Sequence, residues 1–133
     1  MFALTDDFLL GLRDALEAEC GPGADLVLRA CGKQWGQEFA RRMERELTEY
    51  HGTPVQSDPL GLFQATLTEL FSHHGWGRVR FDFAHHPRGV LVVGVTNPVM
   101  AAVLGTADRP ADTLLAGVLA GTFSHFTGQG LDC

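Results

Sequence analysis

Gly75-Trp76-Gly77-Arg78-Val79-Arg80-Phe81-Asp82-Phe83 is the stretch on which the fold turns. Before it, Leu62, Phe63, Leu67, Leu70 and Phe71 recur at the spacing of one helix face. After Gly77 the period becomes two. Val79, Phe81 and Phe83 fall on one face, and Arg78, Arg80 and Asp82 on the other, which predicts a half-buried strand. A helical period that gives way to an alternating one across a glycine-flanked break predicts an α+β fold.

Working toward the C-terminus, His85-His86-Pro87-Arg88-Gly89 reads as a turn and Val90–Val95 as a β-branched run suited to an inner strand. The two strands predict an antiparallel hairpin. Asn97-Pro98 starts a short helical turn through Leu104, and Thr106–Pro110 reads as a loop. Pro110 opens a last helix lined by Leu114, Leu115, Val118, Leu119, Thr122, Phe123 and Phe126, with Gly128 as its C-cap. Gln129–Cys133 reads as the stub of a strand.

Working toward the N-terminus, Ser57 or Asp58 caps the helix before the break, with Pro59 at its first position. His51-Gly52-Thr53-Pro54 separates it from a long helix, Ala24–Tyr50, whose apolar stripe is Leu28, Cys31, Trp35, Phe39, Met43 and Leu47. Gly21-Pro22-Gly23 ends a first helix capped by Thr5, with Phe8, Leu9, Leu12, Ala15 and Leu16 as its buried side. The expectation is one domain over residues 1–133. Four helices pack on a small antiparallel sheet built around one hairpin, and another copy of the chain is a candidate to complete that sheet.

Composition narrows the function classes. The 133 residues are 45% hydrophobic and 20% charged, which is globular. Net charge is −6 with only 10 Lys+Arg, which disfavours nucleic acid and anionic membranes as partners. No apolar run is long enough to insert in a bilayer, and no secretory leader is visible, so the expected compartment is the cytoplasm, with the periplasm as the alternative. Three cysteines without CxxC spacing support neither a disulfide framework nor a zinc site. His73-His74 and His85-His86 are too far apart to share a metal and read as solvated turn residues. No catalytic motif of the hydrolase, P-loop, zincin or Rossmann kind occurs, so no enzyme, metal or cofactor is expected.

The least ordinary feature is spacing among small residues. Gly32, Gly36 and Ala40 fall four apart, as do Gly117 and Gly121. Glycine inside a helix costs about 1 kcal/mol against alanine, so each strip implies a close backbone neighbour. Two readings stand: a helix crossing within the chain, or a self-association surface. A further candidate is a ligand pocket between Trp35 and Phe39 on the long helix and Phe81 and Phe83 on the strand.

The order of an acidic first helix, LRACGKQWGQEF (28–39), an amphipathic helix, GWGRVRFDF (75–83), a second strand and LLAGVLAG (114–121) resembles the bacterial cellulose-synthase D-subunit family. VTNPVMA (95–101) and LLAGVLAGTFSHFTGQ (114–129) are also similar to the 4-vinyl reductase domain family. The first resemblance implies a ring-like homo-oligomer, typically an octamer built from dimers. It would perform no chemistry and would assist the assembly and export of glucan chains beside the other cellulose-synthase subunits. It also implies a glucan passage lined by an N-terminal segment, here Met1, Phe2, Ala3, Leu4 and Thr5. The second implies a regulatory module that binds a small molecule. Both families usually carry further terminal strands, so this sheet is expected to be short of strands.

Overall fold

The computed structural model describes residues 5–51, 60–104 and 112–133. Its elements run α1 (Asp6–Cys20), α2 (Ala24–His51), α3 (Leu60–His73), β1 (Arg78–Asp82), β2 (Val92–Thr96), α4 (Val99–Leu104) and α5 (Thr113–Thr127). The α+β class is as expected: helices and one two-stranded antiparallel sheet. The expected caps at Ser57, Asp58 and Pro59, the loop 106–110 and the passage residues Met1–Leu4 lie outside the described residues.

The helix-to-strand switch has a specific geometry. At the end of α3, Trp76 N donates to Phe71 O at 3.0 Å and Gly75 N to Ser72 O at 3.1 Å. Gly75 sits at φ 76°. This is the Schellman arrangement, which satisfies the last carbonyls of a helix and needs a left-handed residue. Gly77, at φ 111°, is doubly constrained, since a Cβ there would stand 2.9 Å from Thr96 O and 3.0 Å from Asn97 O.

β1 and β2 pair with Arg78 opposite Thr96, Val79 opposite Val95, Arg80 opposite Gly94, Phe81 opposite Val93 and Asp82 opposite Val92. Val79, Phe81, Val93 and Val95 therefore share the inner face and pack on the core formed with Leu115, Val118, Leu119 and Phe123 of α5. The second strand begins two residues later than its β-branched run suggested. It is also an edge rather than an inner strand: Val92 is 46% exposed. The run's length and branching reflected strand propensity, and burial on both faces did not follow from it.

α2 and α5 form the centre. Contacts advance in the same direction along both helices. Thr113 Oγ1 donates to Asp25 Oδ1 at 3.4 Å, Thr122 Oγ1 to Gly36 O at 3.4 Å, and His125 Nε2 lies 2.7 Å from Glu44 Oε2. The pair is thus parallel. Between these ties the backbones touch. A Cβ on Gly32 would collide with Leu114 O, and on Gly36 with Val118 O. One on Gly117 would collide with Arg29 O, and on Gly121 with Lys33 O. Each helix thus offers its glycines to the other's carbonyls. Asp112 caps α5, its Oδ1 accepting from Leu115 N at 3.0 Å. The chain after Gly128 is not a strand. It folds back on α5, where Leu131 N donates to Ser124 Oγ at 2.9 Å.

Three local expectations fail. Thr5 stands at the N-cap of α1 but makes no side-chain cap bond. Phe8 is 52% and Leu12 41% exposed, and Ala15 is exposed too. Cys31, on the α2 stripe, is exposed rather than a buried structural thiol. For Phe8, Leu12, Ala15 and Cys31 helical spacing placed the residue on a plausible face, and the neighbour that would cover it is not there among the described residues.

Candidate functional site

The small-residue strips are the first candidates to place. Gly32, Gly36, Ala40, Gly117 and Gly121 are all buried, and their glycines face each other across the α2–α5 crossing. They are a close-packing surface inside the chain, and the backbone of α5 occupies the space a second copy would need. Spacing of this kind is familiar from membrane helices. Here no helix among the described residues is long and apolar enough to cross a membrane.

The alternative pocket candidate of Trp35, Phe39, Phe81 and Phe83 divides into two groups of rings. Trp35 stacks on Phe39 at 5.0 Å and tilts against Trp76 at 5.4 Å, while Phe71 meets Phe39 edge-on at 6.2 Å. His74 is an exposed turn residue, as its sequence reading has it, and lays its ring 5.4 Å from Phe39. Phe81 instead meets Phe123 at 5.4 Å and Phe83 at 6.3 Å. Leu67, Val79 and Val118 belong to the same core and are almost wholly buried. Trp35, Phe39 and Phe81 are core-packing groups, with their faces taken by neighbouring rings, and Phe83 is half-buried against Phe81. Of the N-terminal passage only Thr5 is described, and it is exposed at the start of α1.

What the fold leaves open is the edge of β2. Among the described residues no third strand pairs with it. Thr68 Oγ1 donates to Val79 O at 3.5 Å, so the Val79 carbonyl points toward α3 and away from β2. In an antiparallel ladder the residue opposite behaves likewise. Val95, opposite Val79, and Val93, opposite Phe81, therefore direct their amides and carbonyls outward. From Val90 to Thr96 there is no charge and no proline, and the register runs unbroken. Charge, proline and bulge, three of the usual protections of an edge strand, are missing from it.

Beside this edge runs a groove of about 310 Å³ between β2 and α5. Leu91, Val93, Val95, Pro98, Leu115, Ala116 and Leu119 line it, with Asp112 and Cys133 as its polar members. Burial pushes the Asp112 carboxyl above the ordinary carboxylate range, and the amides of Leu115 and Met100 pull it back only in part. Its Oδ2 is shut off from solvent without a hydrogen bond of good geometry, so the Met100 attraction is the weaker one. Burial also raises the Cys133 thiol, with Asp132 adding to the effect and Arg29 opposing it. A raised thiol is a poor nucleophile at neutral pH. Among the described residues no cluster of His, Cys, Asp or Glu is arranged to hold a metal.

Sequence reasoning missed Asp112 and the groove. Asp112 carried one signal, an N-cap residue two before an apolar run, but Pro110 offered an equally good helix start. The chain matches no protein-family model and has no significant match among curated proteins.

Proposed function

We propose that this chain is a non-catalytic accessory subunit that works by joining copies of itself through the β2 edge. That is the class of protein implied by its resemblance to cellulose-synthase D subunits, namely a homo-oligomeric scaffold assisting glucan assembly and export. The observation that carries self-association is the open, uncharged β2 edge lying against an apolar groove. The glucan partner rests on the resemblance alone.

Pairing about a two-fold axis at Gly94 is self-complementary. Val93 and the second copy's Val95 would exchange both hydrogen bonds, and the two apolar grooves would meet on one face of a four-stranded sheet. A two-stranded sheet is marginal by itself, and extension to four strands adds both ladder bonds and apolar cover. No like charges oppose each other along this strand.

Val93→Pro is the discriminating variant. It removes an outward amide that β1 does not use, so it should leave the hairpin paired and abolish edge pairing. Native mass measurement should give a multiple of 14.4 kDa for the natural chain and a monomer for the variant. A natural chain that stays monomeric at micromolar concentration sinks the reading, and calorimetry with cello-oligosaccharides tests the glucan arm separately.

A second reading, the ligand-binding module of the 4-vinyl reductase type, draws on the same groove. The unsatisfied Asp112 oxygen at the groove would suit a small apolar molecule with a hydrogen-bond donor. A monomeric chain whose melting temperature rises with such a ligand, and does not in Asp112→Asn, would favour it over the scaffold.

A further inference from the structure

The opposite edge of the sheet faces a second and chemically different groove. It runs between α3 and β1, measures about 840 Å³, and has Gln64, Thr68, Glu69, Ser72 and His73 from α3 and Arg78 and Arg80 from β1 as its polar lining, with Ala65, Val79 and Phe81 as its apolar members. We propose that this groove binds a small phosphate monoester on a hydroxylated skeleton, such as a sugar phosphate. The site is independent of the self-association reading, since it lies on β1 and that reading uses β2.

The argument begins with charge. The chain is acidic overall, with 10 Lys+Arg against 16 Asp+Glu, so an arginine has many carboxylates available. Arg78 and Arg80 nevertheless form no ion pair among the described residues. They lie two apart on one strand face, which sets their Cα atoms roughly 6.6 Å apart, within reach of a single multi-oxygen anion by two guanidinium forks. Their cross-strand partners are Thr96 and Gly94, neither of them acidic. Gly94 has no side chain, and above it a Cβ would meet nothing nearer than Arg80 O at 3.9 Å. Asp82, the next residue on this face, turns its Oδ1 to accept from Ala84 N at 2.9 Å. Two exposed guanidiniums are therefore left, among the described residues, without a carboxylate in ion-pair contact, although Glu69 lines the same groove.

The rest of the lining selects the kind of anion. The Val79 carbonyl points toward α3, so the backbone amides of Val79 and Phe81 lie on the β1 edge that faces this groove. Amides with arginine forks suit a tetrahedral dianion that accepts several hydrogen bonds. Among the described residues Thr68 spends its hydroxyl on a long 3.5 Å bond to Val79 O. Ser72 is exposed, and Gln64 and Glu69 stand on the same side of α3. A hydroxyl, an amide and one carboxylate make a mixed donor and acceptor wall. That wall suits the hydroxyls of a polyol and disfavours a second anionic group.

The test is isothermal titration of the native chain with glucose 6-phosphate, with glucose and with inorganic sulfate. Saturable one-to-one binding of glucose 6-phosphate is expected, weaker binding of sulfate, and none of glucose. Arg78→Gln with Arg80→Gln should weaken binding at least about tenfold while leaving the melting temperature unchanged, because exposed charges contribute little to stability. Arg80→Lys keeps the charge, loses the fork and should fall between. The proposal is overturned by absence of saturation below about 10 mM, an affinity of only a few kcal/mol. It is equally overturned by binding unchanged in the double variant. Sulfate binding as tightly as the ester would mean an adventitious ion only.

Discussion

The α2–α5 crossing and α1 show the same sequence pattern with opposite outcomes. Both are helices with apolar residues at three- and four-residue spacing. At the crossing, four glycines bring backbones into contact, and Val118, Thr122 and Ala40 have no solvent exposure. On α1, Phe8 and Leu12 stay near half exposed, as does Val27 at the start of α2, and Leu26 beside it is mostly exposed. The difference teaches that amphipathic spacing states what a helix would like to bury. Small residues on one strip state how closely a neighbour must come. Only the second kind of signal demands a specific partner surface, because a glycine strip without an approaching backbone would cost helix stability for nothing.

The most damaging change should be at the crossing. Leucine at Gly36 or Gly121 would drive a whole side chain into Val118 O or Lys33 O, where only backbone is available to yield. Overpacking typically costs about 1–3 kcal/mol where side chains can shift, so these variants should lose at least the upper figure or fail to fold. Denaturant unfolding measures it. A midpoint unchanged in both would show that α2 and α5 do not meet as described.

The cap of α5 should matter less and depends on pH. Asp112→Ala removes the bond to Leu115 N and should cost about 1 kcal/mol. Asp112→Asn keeps a capping oxygen and removes the burden of a buried charge. Folding raises the Asp112 pKa above its ordinary value of 3.8, with burial as the largest cause. The contribution of the protonated acid is thus present below that value and is lost as pH rises through the raised one. The Asn variant should therefore equal or exceed the natural chain at neutral pH and lose its advantage on acidification. Thermal melts across that range test the sign. An Asn variant that is less stable at neutral pH by as much as the Ala variant would mean the carboxylate is stabilising as a charge.

The smallest effect is expected on α1. Phe8→Ser and Leu12→Ser remove groups already half in water and should shift stability by less than about 0.5 kcal/mol each. A loss several times larger, measured by the same denaturant unfolding, would show that α1 is covered in solution and would erase the contrast with the crossing.

Much of the backbone was legible because local chemistry dictated it. Gly75 and Gly77 mark the only place where helical period becomes alternation. Val79 and Phe81 point inward as their spacing requires. Gly128 ends α5 at φ 66°. The site was far less legible. The rings of Trp35 and Phe81 both belong to the core, but nothing in their spacing tells that each would find a different aromatic neighbour. Asp112 differs from any other capping aspartate only in being desolvated, and Arg78 and Arg80 differ from ordinary strand-face arginines only in having no carboxylate opposite. Cys31 and Gly32 are adjacent in sequence, and one turned outward while the other met α5.

By itself, then, the sequence determined the order of elements, the inner face of β1, the helix ends at glycine and the existence of two small-residue strips. Those follow from dihedral preference and from periodicity, which act over a few residues. The tertiary structure decided that the strips close on each other, that β2 is an edge and not an interior strand, and that one edge of the sheet borders an apolar groove while the other borders an arginine-lined one. The first of these depends on surfaces that meet across more than eighty residues of chain, as between Gly36 and Thr122, and the others on how neighbouring elements pack, as between Thr68 and Val79. Spacing fixes the face a side chain occupies, and packing alone fixes what stands opposite it.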